Sequence, residues 1–354
     1  MSDLRHHNQS RVQVDGKFFR LGGRKFYVKG VTYGPFAPNS QGEFFGSLEQ
    51  SVKDFQVLSD LGANVLRVYY VPPVWLLDLA LQHGLRLLVD VPWNKHLCFL
   101  DSPETRDEAL SAVRKAAEDC AHHPAIFALS VVNEIPPDIV RWSGAPQISR
   151  FIEELIEVVK SVDSHCLCTF GNYPPTEFLK TQNADFLCYN VYLHSPKPFE
   201  NYLSRLQMIA DSKPLILGEF GIDSLREGEE TKCEILSWQI ELCFRGGLAG
   251  SIIYSFTDDW YKEGAQVTDW AFGITELDRT PKRSYYVAQR QFTQAPYFRL
   301  PSYPAVTVVV ASYNGERTLE ACLASLETLN YPACDVILVD DGSTDRTQQI
   351  CRRF

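Results

Sequence analysis

Eight times between residues 26 and 260, a short run of consecutive apolar residues is followed by a stretch with helical periodicity. The runs span residues 26–33, 64–70, 85–93, 126–134, 165–172, 186–193, 214–221 and 250–260. Apolar residues in unbroken sequence suit strands buried on both faces, as in a parallel sheet. Between them, residues 48–61 carry Val52, Phe55 and Leu58 at helical spacing, and Gly62 supplies a stop. Further helices are expected over residues 74–82, 104–121, 148–162, 199–210, 229–244 and 284–292. Eight β–α units in about 265 residues predict a closed (β/α)8 TIM barrel, with a doubly wound open sheet as the competing architecture.

The flanks read differently. Residues 1–10 form a polar tail. Val12 and Val14, the turn Asp15-Gly16 and then Phe18 to Leu21 read as a β-hairpin capping the bottom of the barrel. The barrel itself is expected over residues 11–293. Residues 294–304 hold Pro296, Pro301 and Pro304 without periodicity and read as a linker. From residue 305 a new α/β unit opens: a strand at 306–312, a helix at 317–328 and a strand at 335–339. It predicts an incomplete Rossmann-like βαβ segment. One and a half such units enclose no core, so a fragment or truncated form of a longer protein is expected.

Charge narrows the partners. Lys and Arg number 34 against 44 Asp and Glu, a formal net of −10, which argues against nucleic acid as the main partner. No apolar run approaches the roughly 20 residues of a membrane span, so no membrane contact is expected. The polar start lacks a secretory leader, which predicts a cytoplasmic protein. The ten cysteines include no C-x-x-C pair. Cys166, Cys168 and Cys188 lie in apolar runs, where a reduced thiol packs as a small hydrophobe.

In a β/α barrel the reacting groups sit at the carboxyl ends of the strands. The fourth run ends in Asn133-Glu134 and the seventh in Gly218-Glu219-Phe220-Gly221. Two carboxyls facing each other across the barrel mouth are what glycosidic bond cleavage requires: one protonates the leaving oxygen, the other attacks the anomeric carbon. A sugar-binding barrel without catalysis is the alternative reading of the same pattern. Asp90 is either a strand-end carboxylate of the site or a cap for the next loop. The adjacent acids Asp258 and Asp259, like His6-His7 and His122-His123, lack the further ligands of a metal site. No metal and no cofactor are expected.

These strand ends resemble the acid/base and nucleophile motifs of glycoside hydrolase clan A, whose members are retaining. Residues 26–33 and 61–69, with Asn190-Val191-Tyr192, resemble the β-1,3-glucan-acting families 17 and 72. Residues 254–260 and 267–273 look more like family 2 barrels. The resemblance implies Glu134 as general acid/base and Glu219 as nucleophile, with Asn133 on the substrate 2-hydroxyl. It implies that Arg67 and Tyr192 hold Glu219 ionised and oriented. Trp260, at the end of the eighth run, would offer its face to the sugar ring, and Tyr33 and Trp93 are further candidates for the sugar-facing wall. Arg67 as a structural ion-pair partner and Trp260 as a core residue remain open.

A second resemblance lies in residues 306–315 and 339–345, which are similar to the start of inverting family 2 glycosyltransferases. It implies that Asp340 and Asp341 belong to a nucleotide-sugar site whose later parts this chain lacks. The remainder of that transferase domain is the implied partner, and carbohydrate the implied substrate. A retaining β-glycosidase or transglycosylase acting on β-glucan, in a bifunctional protein, is the expectation. The alternative is a nucleotide-sugar glycosyltransferase as the parent's main activity.

Overall fold

The computed structural model describes residues 11–299, 302–329 and 331–354. The polar tail, with His6-His7, and Pro301 of the expected linker lie outside the described residues. The chain divides into two units, one reaching to Phe298 and one running from Arg299 to Phe354.

The first unit begins with a three-stranded antiparallel sheet, β1 (Gln13–Asp15), β2 (Phe18–Leu21) and β3 (Arg24–Phe26). The expected hairpin thus gains a third strand. Eight parallel strands then close a barrel in chain order: β4 (Val28–Thr32), β5 (Val65–Val68), β6 (Arg86–Asp90), β7 (Ile126–Asn133), β8 (Leu167–Asn172), β9 (Leu187–Asn190), β10 (Leu215–Phe220) and β11 (Gly250–Ile253). Each of the eight apolar runs supplies one strand, so the barrel is the architecture and the open sheet is not.

Two separate apolar layers hold it. Phe19 of β2 is fully buried and meets Phe127 and Phe186 edge-on at 5.0 and 5.3 Å. With Val28, Val65, Leu88, Ile216 and Ile252 it fills the lumen from below. The larger layer lies between strands and helices and includes Val31, Leu66, Leu87, Phe55 and Leu155. Residues of one strand therefore alternate between lumen and helices, which is the period of two inherent to a strand. Helices stop where the sequence predicts. Gly62, at φ 85°, donates its N–H to Leu58 and Ser59 carbonyls after the helix Leu48–Leu61, a conformation glycine adopts without a Cβ penalty. Packing of the barrel continues past residue 293: Ala295 and Phe298 are both buried in its core.

The second unit contains the parallel pair β14 (Val306–Ser312) and β15 (Cys334–Asp340), after the small pair β12 (Tyr261–Lys262) and β13 (Ala265–Gln266) of the first unit. Helices Leu319–Glu327 and Thr347–Cys351 cover it with a small core of Leu319, Leu323 and Ile350. No helix among the described residues is long and apolar enough to cross a membrane.

Candidate active site

The lumen of the upper barrel changes from apolar to charged one residue at a time. Along β5, Val65 lies in the lumen layer, Leu66 in the helix-facing layer and Arg67 back on the lumen side, fully buried. Its guanidinium is the hub. Nε donates to Asp90 Oδ2 at 2.6 Å, Nη1 to Asn190 Oδ1 at 2.8 Å, and Nη2 to Asn133 Oδ1 at 2.9 Å. Nη1 also stands 3.2 Å from Glu219 Oε1. Asp90, which ends β6, is therefore a carboxylate of the site, paired behind Arg67.

Glycines at two facing strand positions make that hub possible. A Cβ on Gly171 would fall 2.3 Å from Asn133 Oδ1, and one on Gly218 would fall 2.4 Å from Cys188 Sγ. After Gly218 the register of β10 against β9 shifts, so that Glu219 pairs with Asn190. This bulge turns the Glu219 carboxyl toward the lumen. Oε1 accepts from the Tyr69 hydroxyl at 2.6 Å and Oε2 from the Tyr192 hydroxyl at 3.0 Å. Burial pushes the Glu219 carboxyl up to about 7; Arg67 opposes the shift, the Glu134 charge adds to it, and both tyrosines oppose it. The expected partners of Glu219 are in place, yet desolvation outweighs them.

Glu134 approaches from β7, whose register against β8 shifts between Ser130 and Asn133. Its backbone takes φ 50°, a left-handed conformation that few non-glycine residues adopt. The Glu134 N–H donates to the Gly171 carbonyl at 2.8 Å. Asn190 Nδ2 donates to Glu134 Oε1 at 2.7 Å and to Asn133 Oδ1 at 3.1 Å. The two glutamates thus belong to one network, linked through Asn190 and Arg67. That network unites Glu134, Glu219, Asn133, Arg67 and Tyr192 of the expected set.

Trp260 joins at its edge. It lies in the loop beyond β11 rather than at the strand end, 8% exposed, 5.0 Å from the Tyr254 ring and 5.8 Å from Tyr69. Two candidates sit elsewhere. Tyr33 is wholly buried on the helix side, its hydroxyl bonded to Asp54 and Ser51 and its ring edge-on to Phe36 and Phe55. It alternates out of the lumen with Val31, so it forms no sugar-facing wall. Trp93 packs against Phe99 and Phe151 and donates its indole N–H to the Val131 carbonyl at 2.8 Å. It anchors a loop. Sequence reasoning missed Tyr69 and Asn190 as site residues: Asn190 ends β9 in the structure but lies inside the expected run 186–193, so no strand-end signal marked it. Asp258 and Asp259 are spent on Lys282 and Arg279 at 2.5 and 2.8 Å.

In the second unit, Asp340 is occupied within its own turn: Oδ1 accepts from Ser343 N–H at 3.2 Å and Oδ2 from Gln348 at 3.3 Å. Asp341 is exposed, and its N–H donates to the Ser312 carbonyl at 2.9 Å. Asn314 ties the two loops by accepting from Thr344 N–H at 2.9 Å.

A parallel barrel with a linked carboxyl pair at the strand ends defines a (β/α)8 barrel of the kind built for glycosides. The chain belongs to the glycosyl hydrolases family 2, TIM barrel domain, which matches residues 12–295. Residues 307–354 match glycosyl transferase family 2. A β-glucuronidase of Paenibacillus borealis is 26% identical over 304 residues, covering 77% of this chain and 50% of the relative. The 1,3-β-glucanosyltransferase gas4 of Schizosaccharomyces pombe is 21% identical, covering 77% and 64%. Among solved structures, a β-glucuronidase from Ruminococcus gnavus superposes with a TM-score of 0.68 at 20% identity, over 80% of this chain and 52% of that one. The chain spans about half the length of the β-glucuronidases it matches.

Proposed function

We propose that the barrel cleaves β-glycosidic bonds with retention, Glu219 acting as nucleophile and Glu134 as general acid/base. The observation that carries this reading is the single hydrogen-bonded network joining Glu134, through Asn190 and Arg67, to Glu219. In the first step a Glu219 oxygen bonds to the anomeric carbon. The bond from that carbon to the glycosidic oxygen breaks, and the Glu134 proton moves to the departing oxygen. In the second step water or a sugar hydroxyl attacks the same carbon. Its proton passes to Glu134 and the Glu219 carboxylate is released. Asn133, whose oxygen is taken by Arg67 and Asn190, keeps its amide N–H groups for the substrate 2-hydroxyl.

A β-glucan-type oligosaccharide is the substrate we infer. Three carboxyls, of Asp90, Glu134 and Glu219, interact with the two cations Arg67 and Lys95. One retained proton balances that set, and a neutral sugar preserves the balance. The 1,3-β-glucanosyltransferase relative supports transfer to a sugar acceptor as well as hydrolysis. The β-glucuronidase relatives favour a uronate instead, and a uronate would add an uncompensated negative charge. The transferase-like residues 307–354 support a parent protein that both makes and trims or transfers glucan. Incubation with laminari-oligosaccharides tests the reading, with products both shorter and longer than the substrate as the expected result. Cleavage of β-glucuronides alone would replace the glucan assignment. A 2-fluoro glycoside should label Glu219; a label elsewhere would remove the nucleophile assignment.

A further inference from the structure

Lys95 stands in the loop after β6 and has counted so far only as a charge among the carboxyls. Its ammonium donates to the carbonyl of Asn133. The N–H of that same peptide, belonging to Glu134, donates to the Gly171 carbonyl at 2.8 Å. The peptide that carries Glu134 into its left-handed conformation is therefore held at both ends. Trp93, two residues before Lys95, grips the Val131 carbonyl of the same strand. The loop after β6 thus fixes the irregular end of β7 at alternate carbonyls. The other two N–H groups of Lys95 find no protein acceptor among the described residues.

Charge adds to geometry. The charged and titratable groups around the carboxyl pair are Arg67 and Tyr69 from β5 and its loop, Asp90 and Lys95 from β6 and its loop, and the buried Cys188 thiol of β9. The loop after β8 contributes Tyr173, the loop after β9 Tyr192, β10 Glu219 and the loop after β11 Tyr254. Of the two cations, Arg67 is committed to Asp90 and Glu219. Lys95 is the other, with Glu134 first among the carboxyls that favour its charge, against a burial that lowers its pKa.

We propose that Lys95 is a positioning residue for proton transfer, holding the Asn133–Glu134 peptide and stabilising the Glu134 carboxylate after its proton has left. The proposal rests on the assignment of Glu134 as acid/base. In the first step the proton goes from Glu134 to the glycosidic oxygen as the bond to the anomeric carbon breaks, and the Lys95 charge favours the carboxylate left behind. In the second step that carboxylate takes the proton of the attacking water, and Lys95 keeps its peptide in place.

The test compares Lys95→Met, Lys95→Gln and Lys95→Arg in the full chain on two β-glycosides. One carries a dinitrophenyl leaving group, which departs without a proton; the other carries a methyl leaving group, which needs one. For Lys95→Met, kcat/KM should fall about 100-fold on the methyl glycoside and only a few-fold on the dinitrophenyl glycoside. On the latter, kcat should fall with the second step, and azide, a nucleophile needing no base, should restore it with formation of glycosyl azide. Lys95→Gln, which keeps a donor but no charge, should follow Lys95→Met, and Lys95→Arg should stay within about tenfold of the parent. Equal losses on both substrates without azide rescue would overturn the proposal, as would unchanged rates in folded Lys95→Gln. Failure of the underlying assignment shows separately: Glu134→Ala would then lack azide rescue too.

Discussion

Gly218 lies so close to Arg67 that a Cβ added to it would fall 2.7 Å from the guanidinium Nη1. That nitrogen is the one that reaches both Asn190 Oδ1 and Glu219 Oε1. Gly218→Ala should therefore push the guanidinium off Glu219. We expect kcat/KM to drop about 10- to 100-fold, with about 1–3 kcal/mol of overpacking seen in urea unfolding. Unchanged kinetics would mean that Arg67 is not needed beside Glu219.

Removing the guanidinium itself is more severe. Arg67→Met leaves Asp90, buried and already lacking a partner for Oδ1, without its ion pair. A loss of about 3–5 kcal/mol is expected, measurable as a lowered Tm. Asp90→Asn combined with Arg67→Met should recover part of it, since the buried charge is then gone.

The pH profile follows from Glu219. Its carboxyl moves from an ordinary 4.5 to about 7, chiefly by burial, and it must be ionised to attack. The acid limb of kcat/KM should lie near pH 7, falling about tenfold per pH unit below it. The same shift affects folding. The stability supplied by the buried neutral acid is present below pH 4.5 and is lost as pH rises through about 7. Glu219→Gln should abolish most activity. It should also raise stability at pH 8.5 relative to the parent, by up to about 3 kcal/mol, with little gain at pH 4.5. Thermal melts at both pH values check this.

Asn190 is the link to the second carboxyl. Asn190→Ala removes the 2.7 Å donor to Glu134 and the 2.8 Å acceptor of Arg67. A kcat loss of about 100-fold is expected, larger for alkyl than for dinitrophenyl glycosides, because only the former depend on proton donation.

Tyr33 provides the control. Its hydroxyl meets Asp54 Oδ2 at 3.0 Å on the helix side of the barrel, where Arg279 also pairs with Asp54 at 3.3 Å. Tyr33→Phe should cost about 1 kcal/mol of stability and leave kcat and KM unchanged. A raised KM for oligosaccharide would return Tyr33 to the cleft.

By itself the sequence determined the eight strands, the long helices between them and the two glutamates at the ends of the fourth and seventh strands, but not the short helices Pro137–Ser143 and Ser224–Glu227. Those features are local: apolar runs, helical spacing, glycine stops and a polar residue closing an apolar run. The direction each side chain takes was decided by tertiary structure. Where both faces of a strand are apolar, alternation leaves no mark, so Tyr33 and Arg67 are equally plausible lumen residues until the barrel closes. Closure sends Tyr33 to the helices and Arg67 to the lumen, while the bulge after Gly218 turns Glu219 inward. The partners of the carboxyl pair come from strands far apart in the chain: Tyr69 from the second, Lys95 after the third, Asn190 from the sixth. No spacing rule joins them, because their meeting depends on the curvature that brings eight strand ends around one axis.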